Sequence, residues 1–109
     1  MTCAQAYYSS RDAYDCALST AKKIVRREQE GSVPEGHAER VIKDNLKSRR
    51  RTMELIEYTQ VRDPELFARV EKALPEDIFS TLDFFDAANG IGRAIYQVMI
   101  DDIREEANA

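Results

Sequence analysis

The stretch "LKSRRRTMELIE", residues 46–57, decides how this chain folds. Read as the middle of one helix, it joins Ala38, Ile42, Leu46, Met53 and Ile56 into one apolar face at the three- and four-residue spacing of an amphipathic helix. That helix then runs from just after the connector "GSVPEG", residues 31–36, to about Gln60. With Arg40 placed at 0° on the wheel, Lys43, Lys47, Arg50 and Arg51 fall between about −80° and +20°, opposite the apolar face. Arg49 falls at about 180°, inside that face, where a cation must snorkel to an edge or meet a carboxylate. The last segment offers Asp83, Asp86, Asp101 and Asp102. Arg49 is therefore read as a structural or interface arginine.

Upstream, residues 3–30 read as a first long helix. Thr2 and Gln5 form a T-x-x-Q capping box. Cys3, Tyr7, Tyr14, Ala17, Leu18, Ala21, Ile24 and Val25 share its apolar face, and Cys16 falls on the polar one. Gly31 suits the left-handed position that ends a helix, and Ser32 with Glu35 suggests a second capping box. The short connector makes the first two helices antiparallel neighbours.

Downstream, "RDPELFARVEKAL" gives a short third helix, with Asp63 as N-cap, Pro64 at the first helical position and Glu65 at the positive dipole end. Leu66, Phe67, Val70 and Leu74 supply its apolar side. Residues 75–106 form the last segment, and its apolar face keeps phase through Asn89-Gly90, which favours one helix over a turn. That face is about 200° wide, against the roughly 100° a single neighbour needs. The extra width predicts a second copy packed on Phe84, Ile91, Gly92, Ile95 and Val98, with Gly92 admitting a close approach. The expected fold is all-α, an antiparallel bundle of about four helices in one domain over residues 1–109, dimeric. Its parts are a long helical hairpin, a short helix and a long C-terminal helix.

The chain has 109 residues, 43% apolar and 33% charged, with a formal charge of −4. The charge is uneven: residues 1–52 carry 11 Lys and Arg against 7 Asp and Glu, and residues 53–109 carry 5 against 13. Such asymmetry makes a charged partner surface worth considering. On one helix Cys3 and Cys16 would stand about 20 Å apart, beyond disulfide reach, which predicts free thiols and a reducing, cytoplasmic setting. No apolar run has the length of a membrane span.

No pattern specifies chemistry. His37 is the only histidine, so sites built on paired histidines are excluded. It also lies at a helix start, unlike the exposed mid-helix histidine of a phosphotransfer module. Cys16 lacks a base at local spacing, and "ANGIGRA", residues 88–94, follows no strand. The expectation is a non-enzymatic protein-interaction module, without cofactor or metal, acting as adaptor, chaperone, inhibitor or immunity-type regulator. Its partner is another protein. The alternative is a nucleic-acid-associated regulator using the basic ridge of Lys22, Lys23, Arg26, Arg27, Arg40, Lys43, Lys47, Arg50 and Arg51. Spacings such as Glu39–Lys43, Arg40–Asp44 and Arg50–Glu54 favour a solvated face laced with ion pairs instead.

Overall fold

Asp12 starts the first helix by accepting a hydrogen bond from the Asp15 amide at 2.9 Å, which satisfies one of the donors a helix start leaves open. The computed structural model describes residues 12–75 and 84–108, with Phe84 and Phe85 described by backbone alone. Helix α1 spans Ala13–Glu30 and ends at Gly31, φ 70°. The Ser32 and Gly31 amides reach back to the carbonyls of Arg27 and Glu28, the Schellman arrangement. The Thr2–Gln5 box, Cys3, Tyr7 and Tyr8 lie outside the described residues.

Helix α2 spans His37–Asn45. Its N-cap is Gly36 at φ 79°, without a side-chain cap, so Ser32 and Glu35 do not form the box expected there. The expected second helix then stops. Helix α3 begins afresh at Arg49 and spans Arg49–Arg62, with Ser48 as its N-cap accepting from the Arg51 amide at 3.3 Å. Three side chains support the break. Asn45 Nδ2 donates to the Val41 carbonyl at 2.8 Å. Thr52 Oγ1 donates to the carbonyls of Ser48 and Leu46 at 2.9 and 3.3 Å. Asn89 Nδ2 lies 3.5 Å from the Leu46 carbonyl.

The break resets the helical phase. Thr52, Leu55, Ile56 and Thr59 become the buried stripe of α3, and Arg49, read above as central to an apolar face, is exposed. Both threonines donate back to their own helix, Thr59 Oγ1 to the Leu55 carbonyl at 2.6 Å. A threonine bonded in this way presents its methyl to the core.

Helix α4 spans Pro64–Ala73, and Asp63 caps it by accepting from the Leu66 amide at 3.1 Å, as expected from "RDPEL". Leu66, Phe67 and Val70 are buried. Helix α5 spans Phe84–Ala107 without interruption at Asn89-Gly90. Among the described residues the protein is all-helical, with these five helices and no strand.

α5 is the common wall. It packs against α1, α3 and α4 and touches α2, while α1 rests chiefly on α3 and α5 rather than on α2. Ile24, Thr59, Val70, Ile95, Met99 and Ile100 are the largest side chains fully enclosed. Each apolar one contributes about 1.5–3 kcal/mol relative to exposure. The wide apolar face of α5 thus serves several helices of its own chain. Ile91, Gly92 and Ile95 are buried within that chain, Val98 is half-buried, and the Phe84 side chain lies outside the described ones. Gly92 does admit a close approach, but from within: an added Cβ would stand 2.9 Å from Leu46 Cδ2 and 3.3 Å from Thr52 Cγ2.

Candidate interaction surfaces

Where α1 starts and α3 ends, five polar side chains meet. Tyr14 donates its hydroxyl to Asp63 Oδ2 at 3.0 Å. The guanidinium of Arg62 lies 5.4 Å from the Tyr14 ring centroid and bonds both Asp12 and Asp15, its Nη2 reaching Asp15 Oδ1 at 3.1 Å. Two helix caps, Asp12 and Asp63, are therefore tied to one corner. Partial burial and the adjacent Asp63 carboxylate raise the Tyr14 hydroxyl above its ordinary pKa, while hydrogen bonds to Asp15 and Asp12 raise Arg62. The apolar wheel placed Tyr14 in the core; it is half-buried and packs against the core, and its hydroxyl also makes it a corner post. Local spacing does not reveal this corner, because Arg62 lies about fifty positions from the Asp12 and Asp15 that it bonds, and Tyr14 as far from Asp63.

Two further clasps join α5 to the rest. Arg69 grips Asp102 through both guanidinium nitrogens at 2.7 and 2.8 Å, and this pairing lowers the Asp102 carboxyl below its ordinary value. Arg104 holds Glu28 in the same way at 2.7 and 3.1 Å. Asp101 accepts from Gln97 at 2.9 Å. Of the carboxylates considered for Arg49, Asp101 and Asp102 serve other residues, and Asp83 lies outside the described residues.

The basic ridge is only partly assembled. Lys22, Lys23, Arg26 and Arg27 line the exposed side of α1, and Arg40 and Lys43 are exposed on α2. Among the described residues none of these six takes part in an ion pair, so neither Glu39–Lys43 nor Arg40–Asp44 forms. Lys47 pairs with Asp44 at 3.2 Å and Arg50 with Glu54 at 3.1 Å. Arg51 departs from the ridge: it is half-buried and lines a cavity of about 20 Å³ with Cys16, Leu46 and Tyr96. Such a space fits about one water. Burial raises the Tyr96 hydroxyl well above its ordinary value.

Cys16 is not on a polar face. It is 3% exposed and disulfide-bonded; Cys3, the only other cysteine of the chain, lies outside the described residues. The expectation of free thiols assumed one helix through both positions, whereas the helix carrying Cys16 begins at Ala13.

A different surface lies on the outer side of α3. Glu54, Glu57, Tyr58 and Val61 follow the i, i+3, i+4, i+7 spacing of one helix face and line an open groove of about 280 Å³. Tyr58 and Val61 are 38% and 79% exposed, the exposed large apolar side chains among the described residues. Glu54 Oε1 accepts from Arg50, and Glu54 Oε2 is buried with no hydrogen-bond partner among the described residues. Sequence reading missed this strip because a search for the buried face passes over its opposite.

A second groove, about 320 Å³, lies between the start of α2 and the end of α5, where His37 meets Glu28, Glu35, Glu39 and Arg104. Its charges are of mixed sign, and Arg104 and Glu28 satisfy each other. Among the described residues no three His, Cys, Asp or Glu side chains are grouped to hold a metal ion, and no helix is long and apolar enough to cross a membrane. Compared with protein-family models, curated proteins and solved structures, the chain matches none.

Proposed function

We propose that the protein is a non-enzymatic interaction module that binds another protein through helix surfaces. The observation that carries this reading is the α3 strip, where Tyr58 and Val61, the exposed large apolar side chains among the described residues, lie beside a groove. Aromatic and aliphatic groups beside polar ones are the usual material of a protein contact. The adaptor, chaperone, inhibitor and immunity-type roles all use such a surface.

A second reading, a nucleic-acid-associated regulator, draws on one specific observation. Lys22, Lys23, Arg26 and Arg27 are exposed, close together on α1 and engaged in no ion pair among the described residues. Cations in that state can neutralise phosphates.

Site-specific photo-crosslinking in the native cells separates the two, with the crosslinker placed in turn at Val61 and at Arg26. The interaction-module reading expects a discrete protein adduct from Val61 that survives nuclease. A nuclease-sensitive adduct from Arg26, with none from Val61, would replace it by the second reading.

A further inference from the structure

We propose that the outer side of α1 between Lys22 and Arg27 receives a short acidic segment of the partner protein, whose carboxylates meet Lys22, Lys23, Arg26 and Arg27. The proposal rests on the interaction-module reading and adds to it a second contact and the charge of the partner. All four side chains are exposed, and among the described residues none takes part in an ion pair. Lys22 with Arg26 and Lys23 with Arg27 are like charges at the i, i+4 spacing, which destabilises a helix unless an anion neutralises them. The nearby carboxylates are turned elsewhere: Asp12 and Asp15 bond Arg62, and Glu28 bonds Arg104. Arg62, Arg69 and Arg104 are each held by a carboxylate from another part of the chain, so the α1 cations stand apart from the pattern. The protein carries a formal charge of −4, and a patch of four uncompensated cations runs against that sign.

The ends of the patch favour a peptide over a phosphate backbone. At about 100° per residue the four cations cover a sector about 140° wide and about 7.5 Å long. Asp15 and Glu30 fall in the same sector, one before the patch and one after it. A phosphate chain laid along α1 would run off the cations and meet a carboxylate at each end. A segment with carboxylates on two consecutive turns ends where the patch ends. Among the described residues no exposed aromatic side chain stands on α1, so nothing there stacks on bases. Within a second copy of this chain the competing carboxylates are the exposed Glu105 and Glu106, and protein concentration separates that occupant from the partner.

The test is an amide-shift titration of the isotopically labelled full chain with a synthetic fifteen-residue peptide of alanine and glutamate, its glutamates at i, i+4 spacing. A single-stranded oligonucleotide of equal charge is titrated in parallel. Peptide shifts should saturate, centre on residues 22–27 and weaken as salt is raised, and the oligonucleotide should bind less tightly. Lys23→Glu should lower peptide affinity about fivefold, whereas Lys72→Glu, the same change on exposed α4 surface, should alter it by less than about twofold. Both substitutions are at exposed positions, and the unbound spectrum verifies folding. Five results would overturn the proposal: no saturable binding, shifts centred on another helix, equal losses from Lys23→Glu and Lys72→Glu, tighter binding of the oligonucleotide, or shifts at 22–27 that follow protein concentration without peptide. The fourth assigns the patch to nucleic acid and the last to a second copy. If the proposal falls while a crosslinker at Val61 still captures a protein, the interaction-module reading stands. If Val61 captures none, both fall.

Discussion

Gly92 shows how one absent side chain decides a helix contact. Replacement by alanine gains about 1 kcal/mol of helix propensity but drives a methyl to within 2.9 Å of Leu46 Cδ2. Leu46 is 4% exposed and must shift toward the small cavity it lines, while Thr52 Cγ2 at 3.3 Å confines the methyl from the other side. Overpacking of this kind costs about 1–3 kcal/mol, so Gly92→Ala should be destabilising by about 1 kcal/mol in urea unfolding. Leu46→Ala, itself destabilising, should cost less in that background than alone, a coupling that a double-mutant cycle reads directly. The sequence marked Gly92 as a point of close approach, correctly, but periodicity carries no information about which neighbour arrives. The same limit applies to Cys16, whose burial and bond depend on where its helix begins.

The helices themselves were legible to differing degrees for physical reasons. α4 was read closely because Asp63, Pro64 and Glu65 act locally at its start. The uninterrupted described span of α5 through Asn89-Gly90 was likewise readable from the unbroken apolar phase. The second helix was not, because its division depends on one serine, on threonines that behave as core residues and on Asn89 of a distant helix. Arg49 was misplaced as a direct result. If the Ser48 cap sets this boundary, Ser48→Ala should cost about 1 kcal/mol, measured by chemical unfolding. Increased amide exchange should be concentrated in the first turn of α3. An unchanged exchange pattern there would mean that Thr52 and Asn89 hold the break without the cap. The α3 strip escaped sequence reading for another reason: exposure is a property of the folded surface, and Tyr58 and Val61 do not differ in composition from core residues.

At the scale of the whole molecule, the long-range clasps give stability a pH window. Arg69 lowers the folded-state pKa of Asp102 below its ordinary 3.8, so its contribution is present above that value and lost as pH falls through the folded pKa. Tyr14 and Tyr96 are raised above 10.0, so theirs is complete below pH 10.0 and lost as pH rises through the folded values. Urea midpoints should therefore be nearly flat between about pH 4 and pH 10 with respect to these groups. The Asp102 limb should be shallow, because its pair with Arg69 is partly exposed and screened by solvent. Asp102→Asn should remove that limb; an unaltered acid limb would assign it to other carboxylates.

The central place of α5 has a consequence in time. It is last in order among the described helices, yet α1, α3 and α4 all close against it. During synthesis at about 5–20 residues per second, the apolar side of α1 would wait about 4–15 s for that wall to emerge. Until translation brings α5 into reach, the side of α1 that packs on it has no cover from its own chain.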